Sequence, residues 1–394
     1  MSPRATHAVS PVDLFSEEVL RDPYPTYAHL RALGPAVWLS HEDVWALPRY
    51  APVWEVQRHP EFFSSVGGPG LVVMPDPMMT GVILSTDPPE HTRIRGVVNE
   101  MLGVRPLRAV REDIVARART LVAEVAEAGR IDAVSDLAAR FAVDVVGDLV
   151  GLPVQGRDQL LAMADAAFNT FGPFNDRTMQ GMPLVMGIFD YIEKRAGRAD
   201  LAPGTWGATV YGAVDRGLLS EREAVSALSG FIVAGMDTTA NGLASAIWLL
   251  ATHPEQWRRL RKEPGLGLST FREALRLESP LQAFFRQVTT NVDFDSVAVE
   301  AGQRVMMLLG SANRDETRWE RADEFDVARD PVGHMAFGGG THRCGGAVLA
   351  EIEGGAILSA LASSGVTSLE LAGEPVWRLN HVVRGLAQLP VRLG

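Results

Sequence analysis

The stretch that decides the fold is His334-Met-Ala-Phe-Gly-Gly-Gly-Thr-His-Arg-Cys344-Gly-Gly-Ala-Val-Leu-Ala-Glu351. It begins as a glycine-rich loop, and after Cys344 the apolar residues recur at helical spacing at Ala347, Val348, Leu349, Ile352 and Ala356. The pattern therefore places Cys344 just before or at a helix N-terminus, where unpaired amides and the helix dipole favour a thiolate. The glycines allow backbone N–H groups to approach the sulfur closely, which would tune a bound metal.

The residues alone leave other interpretations of Cys344 open. A lone cysteine is often a small buried hydrophobe. A glycine loop before a helix can also cradle a phosphate, but the Lys-Ser/Thr pair that follows the glycines of such loops is missing here. A catalytic thiol with His342 as its base is a third interpretation, although proximity in sequence does not establish that geometry.

Composition excludes several classes of protein. The 394 residues are 46% hydrophobic, which is enough for a large core, and the single Cys excludes a disulfide framework or a four-Cys zinc site. A net charge of −11 argues against nucleic acid as the main partner. No apolar run approaches the ~18 residues of a membrane span. The N-terminus shows no signal-peptide pattern, so we expect a soluble, cytoplasmic protein without a membrane partner.

Helical periodicity dominates the chain. It extends over residues 104–126, 131–150, 157–168 and 220–251, and the last segment opens with a capping box formed by Ser220 and Glu223. Strand signals are few and short, at residues 36–39, 44–47 and 305–309. Without a repeat or a linker, the sequence predicts a mainly α protein with a small β portion (α+β). We expect a single domain over residues 1–394, with a poorly ordered N-terminal segment over residues 1–20.

Three further motifs carry polar groups into apolar surroundings. Asp237-Thr238-Thr239 lies midway along a hydrophobic helix, where such groups are costly unless they have partners or a function. Glu273 and Arg276 form an i,i+3 pair, which is commonly a solvated helical ion pair. The third motif is Asn313-Arg314-Asp315, followed by Phe325-Asp326 and Arg329.

The run from Phe337 to Gly346 resembles the haem-binding loop of the cytochrome P450 superfamily, whose pattern is Phe, glycines, a basic residue two before the Cys and Gly two after it. The other three motifs appear in the order and approximate spacing of that family. The resemblance extends from Asp22-Pro-Tyr-Pro25 to the C-terminus. It implies the cytochrome P450 fold, a single haem-containing domain, haem b as the cofactor and Cys344 as the axial ligand of its iron.

The resemblance also implies roles for other residues. The haem propionates would be bound by His91, Arg95, Arg286 and His342. The haem would also contact Phe337, Gly338, Ala234 and Gly235, and the small side chains of the last two leave room for dioxygen. Asp237 and Thr238 match the acid–alcohol pair that delivers protons during oxygen activation. Glu273, Arg276 and Arg329 match a buried structural network.

Within the superfamily the chain is most similar to the soluble bacterial branch that oxidises para-substituted benzoic acids. The similarity implies a substrate pocket formed by Phe168, Phe171, Leu84, Val233, Ala234 and Phe284, although core packing is a near-even alternative for the three phenylalanines. The sequence departs from that branch where the substrate carboxylate is recognised, with Met78, Gly81, Gly230 and Val233 at the corresponding positions. Because burial of an unpaired carboxylate is unfavourable, we expect a less polar aromatic substrate.

The function implied is a monooxygenase that hydroxylates or O-demethylates a small aromatic compound with O2. Electrons would come from a [2Fe-2S] or similar ferredoxin and an NAD(P)H-dependent reductase, because the chain has no flavin- or dinucleotide-binding region. A monomer is expected. The alternatives are a peroxide-driven peroxygenase, which could dispense with the Asp237–Thr238 pair, and a non-catalytic haem sensor or carrier.

Overall fold

Helices form most of the structure, a computed structural model that describes residues 7–74 and 81–394. The α-helices are α1 (Glu17–Arg21), α2 (Tyr24–Leu33), α3 (Tyr50–Arg58), α4 (Glu90–Leu102), α5 (Val104–Ala128), α6 (Arg140–Val150), α7 (Leu160–Asn169), α8 (Asp176–Arg195), α9 (Trp206–Asp215), α10 (Glu221–Gly230), α11 (Thr238–Thr252), α12 (Pro254–Lys262), α13 (Gly267–Leu277), α14 (Leu309–Ala312) and α15 (Ala347–Ser363). Two segments, Ala133–Ala139 and Phe231–Asp237, have wider π-helical turns.

The strands are short and gather mainly into one sheet. They are β1 (Ala8–Ser10), β2 (Val37–Leu39), β3 (Val44–Leu47), β4 (Phe63–Ser64), β5 (Arg130–Asp132), β6 (Ala283–Val288), β7 (Val292–Phe294), β8 (Val297–Val299), β9 (Arg304–Leu308), β10 (Leu369–Leu371), β11 (Val376–Arg378), β12 (Gly385–Gln388) and β13 (Pro390–Leu393). The largest sheet has the order β1-β2-β3-β9-β6-β4, and β11 pairs with β12 in an antiparallel hairpin. The mainly α class with a small β portion is confirmed.

The long apolar segment predicted over residues 220–251 forms the centre of the molecule. Ser220 and Glu223 make the reciprocal capping box at its start, and α10, the π-helical turn and α11 follow without a break. Eleven of the 15 residues of α11 are buried. A helix buried on most sides has no solvent-facing stripe, which explains the low charge of this segment.

The helix that follows Cys344 is fixed by close packing. α15 packs against α5 on one side and against α13 on the other. Gly354 allows this approach, because a Cβ atom at that position would overlap the ring of Phe271 on α13. The start of α15, and with it the position of Cys344, is therefore fixed by two other helices.

Two segments differ from the sequence-based expectations. Residues 131–150 begin as β5 and a π-helical turn, since the Asp132 side chain accepts a hydrogen bond from the Val134 N–H and starts the helix only beyond that point. The N-terminal segment also differs from the poorly ordered one expected over residues 1–20. Here β1 pairs with β2, and Leu14, Phe15 and Val19 are buried in the core. Residues 1–6 of that expectation lie outside the described residues.

Within residues 7–74 and 81–394, no helix combines the length and the apolar character that crossing a bilayer requires.

Candidate active site

Cys344 lies three residues before α15, on the wall of a cavity. The cavity is enclosed by α15, by strand β6 and by residues 221–252, the continuous run of α10, the π-helical turn and α11 that we call the central helix. The Cys344 N–H donates to the Phe337 carbonyl at 2.8 Å, which closes the glycine loop. Gly340 has a φ of +61°, and a Cβ atom there would overlap the carbonyl oxygen of Gln57, so this turn requires glycine. The side chain of Cys344 is exposed to this cavity. Desolvation by the surrounding protein raises the pKa of its thiol, whereas backbone N–H groups of Gly346 and Ala347 oppose this rise by donating to the sulfur.

Four basic side chains gather beside Cys344. Arg95, Arg286 and His342 line the cavity, and the ring of His91 lies 4.3 Å from that of His342, centroid to centroid. Burial lowers the pKa of Arg286 to about 10 and that of His342 to about 3, and it also lowers the pKa of His91. Each shift reflects a cationic form that lacks sufficient negative charge around it.

These basic side chains have few hydrogen-bond acceptors around them. Arg286 donates only to the Phe285 carbonyl, and Nε2 of His91 is buried without a hydrogen-bond partner among the described residues. His342 Nε2 lies 3.0 Å from the Ser65 hydroxyl. Such a set of donors fits a doubly negative group inserted from the cavity, which is the charge that two haem propionates carry.

The opposite wall is the π-helical turn of the central helix. Ala234, Gly235 and Thr238 line the cavity there, facing the glycine loop with Phe337 and Gly338. The Thr238 hydroxyl donates to the Ala234 carbonyl at 2.7 Å. A π-helical turn widens the backbone and is frequent at functional sites. The cavity is therefore bounded by Cys344 on one side and by the Thr238 hydroxyl on the other.

The side chain of Asp237 points away from the cavity that Thr238 faces. Its side chain is 2% exposed, is not part of the cavity wall and accepts hydrogen bonds from Arg378 and Asn241 on the other side of the helix. Burial raises the pKa of Asp237, while the charge of Arg378 opposes the rise. The acid and the alcohol are adjacent in sequence, but only the alcohol faces the cavity.

An aromatic pocket adjoins Thr238. Leu84, Phe168, Ala234 and Phe284 line it, as the resemblance implied. Phe171 and Val233 lie one layer behind: Phe171 contacts Phe168 edge-on at 5.7 Å between ring centroids, and Val233 packs against the cluster of Phe168, Val382 and Val383. Those two residues support the pocket rather than form its wall. Met78 lies outside the described residues.

Comparison with known proteins identifies the family. A model of the family described as cytochrome P450 matches residues 211–264 and 269–363. The chain is 38% identical over 386 residues to cytochrome P450 CYP199A2 of Rhodopseudomonas palustris, which covers 97% of this chain and 93% of that protein. It is 32% identical to vitamin D(3) 25-hydroxylase of Pseudonocardia autotrophica, with 97% and 96% covered. The solved structure of CalO2 superposes with a TM-score of 0.85 at 30% identity, covering 97% of this chain and 98% of that one.

This chain is a cytochrome P450. Like the P450 monooxygenases it resembles, it is an oxidoreductase that uses O2 and haem b, and bacterial members of the family take electrons from separate redox-partner proteins. The residues fit the cofactor: Cys344 supplies a thiol on the cavity wall, and the unpartnered Nε2 of His91 and the acceptor-poor Arg286 suit the propionates.

The P450 structure also brings together the predicted buried network. Arg276 is fully buried and forms two 2.8 Å bonds to Glu273, and Arg329 Nε lies 2.9 Å from the same carboxylate. Arg276 donates further to the carbonyls of Asn313 and Ala322. Two guanidinium groups thus share one carboxylate, and backbone carbonyls accept the remaining N–H groups of Arg276. Asn313 links the network to the loop before Cys344, because its side-chain oxygen accepts a hydrogen bond from the Met335 N–H.

Three features of this P450 escaped the sequence reasoning. Leu281 and Trp206 line the cavity, but as single apolar residues they gave no signal. Glu353 on α15 also lines it, is fully buried and has no partner on either carboxylate oxygen among the described residues; burial raises its pKa well above 4.5. Arg378 is 141 residues from Asp237, and nothing in the sequence relates the two.

Proposed function

We propose that this P450 inserts one oxygen atom from O2 into a small, weakly polar aromatic substrate, by hydroxylation or oxidative O-demethylation. The observation that carries the proposal is that aromatic side chains line the same cavity as Thr238 and Cys344. Two phenylalanine rings, Phe168 and Phe284, form its wall and would hold a flat ring by stacking and edge contacts.

The roles of the residues follow from their positions. Haem with a thiolate ligand supplies the oxygen-activation chemistry. Cys344 would ligate the iron, and Arg95, Arg286, His91 and His342 would bind the propionates. The Thr238 hydroxyl is the proton donor at the cavity wall, and Asp237 resupplies it from the far side of the central helix. A sensor or carrier would need Cys344 but not this acid–alcohol pair.

The charge of the cavity supports a substrate without a carboxylate. Its cationic lining residues in the described part of the chain are Arg95, Arg286 and His342, all of which belong to the propionate cluster. The pocket itself presents Gly81 and Gly230 where the benzoate-oxidising branch supplies polar groups. A carboxylate there would be buried without a counter-ion, which is strongly unfavourable. A methoxy- or alkyl-substituted phenol or arene fits better.

A binding titration tests the substrate class. Neutral methoxyarenes should shift the Soret band of the haem-loaded protein towards the substrate-bound form, and 4-methoxybenzoate should bind at least about tenfold more weakly. Phe168→Ala should weaken binding of the neutral ligand by about tenfold, because a pocket wall is lost. Phe189→Ala, on the exposed face of α8, is the matched control and should leave binding unchanged. A strong response to 4-methoxybenzoate alone would contradict the proposal.

Electron delivery by an acidic ferredoxin is supported by a basic surface on α5. Arg105, Arg108, Arg111 and Arg119 are exposed there, and three of them line a groove between α5 and α15, the helix that follows Cys344. Two acidic residues, Glu127 and Glu351, line the same groove. A basic strip on a chain of net charge −11 would steer a negatively charged partner. Turnover should therefore fall as the salt concentration rises at saturating substrate.

A second measurement separates the monooxygenase from the peroxygenase. Consumption of NADH and O2 in amounts equal to the product formed would support a monooxygenase, whereas turnover with peroxide alone would favour the peroxygenase.

A further inference from the structure

Three side chains that can bind a metal ion meet where the loop after β1 approaches the turn between β2 and β3. Asp13 lies in that loop, and His41 and Glu42 lie in that turn. One carboxylate oxygen of each acid and one ring nitrogen of His41 all lie within 4.8 Å of one another. None of the three residues lines the cavity beside Cys344, so the cluster is separate from the haem site.

The distances in this cluster are close to those of a metal centre. Nδ1 of His41 lies 3.8 Å from Oδ1 of Asp13 and 3.7 Å from Oε1 of Glu42. Atoms that bind one tetrahedral zinc ion at about 2.0–2.2 Å lie roughly 3.3–3.6 Å apart. The His41 side chain is 57% exposed, so its ring can turn the short remaining distance towards the two carboxylates.

The Glu42 carboxylate is the observation that points to a bound cation. Its side chain is only 2% exposed, and its Oε1 accepts a hydrogen bond from the Leu14 N–H at 2.7 Å. Its Oε2 is buried and has no hydrogen-bond partner among the described residues. Burial raises the pKa of Glu42, the Leu14 N–H and His41 oppose the rise, and the charge of Asp13 adds to it. A carboxylate oxygen buried without a donor or a cation is strongly unfavourable.

The donor set selects the class of cation. Two carboxylates and a neutral imidazole carry two negative charges, which one divalent ion balances. Imidazole nitrogen is a ligand for Zn²⁺ and related transition metals, whereas Ca²⁺ and Mg²⁺ prefer oxygen ligands. Backbone groups already orient both acids, because the Phe15 N–H donates to Oδ1 of Asp13 at 2.8 Å and the Leu14 N–H donates to Glu42.

We propose that Asp13, His41 and Glu42 form a binding site for a divalent transition-metal ion of the Zn²⁺ type, which fastens the N-terminal segment to the sheet. A metal ion that joins residues distant in sequence closes the loop between them and so stabilises the fold. Leu14 and Phe15, which follow Asp13, are buried in the core, so the ion would also hold this part of the packing in place. The role is structural and goes beyond the proposed oxidation reaction.

Zinc binding to the tag-free, haem-loaded protein tests the site. Haem loading is used because it occupies Cys344, the only thiol of the chain and a competing zinc ligand. Bound zinc per chain is measured after equilibrium dialysis, and unfolding is followed by haem absorbance. We expect one zinc ion per chain at this site and a rise in Tm of about 3 °C at a zinc concentration 100 times the Kd. Calcium alone should leave the Tm unchanged.

Two variants locate the ion. His41→Ala and Glu42→Gln should each weaken zinc binding at least about tenfold and remove the rise in Tm. Gln at position 42 keeps an oxygen that can accept from the Leu14 N–H, so this variant removes the charge and preserves the turn. The matched control is His59→Ala. His59 forms an exposed pair with Glu61 at 3.0 Å, without a third ligand in the described part of the chain, so this variant should bind zinc like the unmodified protein.

Three results would overturn the proposal. The first is no bound zinc and no change in Tm at about 1 mM zinc. The second is an unchanged zinc affinity in Glu42→Gln or His41→Ala, because the ion would then bind elsewhere. The third is an equal rise in Tm with calcium, which would exclude the imidazole as a ligand. None of these measurements involves turnover, so failure of the proposed function would appear separately, as a lack of product in the unmodified protein.

Discussion

Two buried ionic networks of this protein have opposite designs. On the Cys344 side, one carboxylate, Glu273, is bound by two arginines, and its main partner Arg276 is fully buried with every N–H group directed at an acceptor. On the pocket side, one arginine, Arg378, is divided between the carboxylates of Asp165 and Asp237. The second arrangement is less completely satisfied, because Nε of Arg378 lies 3.0 Å from Asp165 but has no hydrogen-bond partner among the described residues. We call the first arrangement the fixed network, since removal of its carboxylate would leave buried charge without a partner.

The largest effect on turnover is expected from substitution of Cys344. Cys344→Ala removes the only thiol of the chain, so haem-thiolate turnover should fall by at least ~1000-fold. Cys344→Ser is the control for packing. It can retain pigment but should lose the red-shifted carbon monoxide band, and a retained band in either variant would exclude Cys344 as the ligand.

The second largest effect is expected on stability, when the carboxylate of Glu273 is removed from the fixed network. Glu273→Gln leaves Arg276 and part of Arg329 buried without a counter-charge, and the free energy of unfolding should fall by about 3–5 kcal/mol. Denaturant unfolding followed by haem absorbance measures this. Glu17→Gln breaks an exposed pair with Arg21 and should cost less than about 1 kcal/mol. Similar losses in both variants would show that the buried network has no special weight.

In the substrate pocket, substitution of Thr238 should change the product formed per NADH rather than the stability of the fold. Thr238→Ala removes the hydroxyl at the cavity wall, so the product formed per NADH should fall about tenfold while peroxide rises. Thr252→Ala is the matched control, because Thr252 makes the same bond to the carbonyl four residues earlier at the far end of α11. Unchanged coupling in Thr238→Ala would count against its role.

The smallest effect concerns Glu353, which neither network includes. Its folded-state pKa is raised above the usual 4.5, so the folded protein keeps a proton that the unfolded chain loses as the pH rises through that value. Stability is therefore lost progressively above about pH 4.5 until the raised pKa is reached. Glu353→Gln removes this loss and should raise the Tm by about 2 °C at pH 8 and not at pH 4. An equal shift at both pH values would show a packing effect instead.

The contrast between the two networks also explains what the sequence could predict. The Cys344 loop, the capping box of Ser220 and Glu223, and the pair of Glu273 and Arg276 all act over a few residues, so their spacing is visible in the sequence. The charged partner of Asp237, Arg378, comes from β11, far away along the chain, and in the sequence it resembles any other surface arginine. The resemblance placed Phe171 and Val233 in the substrate pocket, but they lie behind its wall, because a matching position in the sequence does not determine the depth of a side chain.

The π-helical turn at Phe231–Asp237 has a consequence for how this protein can vary in length. A π-helical turn holds one residue more than the same stretch of α-helix. Deleting that residue would restore a regular helix, but it would rotate α10 by about 100° relative to α11. The N-terminal turn of α10, where Glu223 binds Arg93 of α4, would then no longer face α4. Insertions and deletions should therefore be tolerated in the loops at either end of this helix and excluded between Ser220 and Thr238.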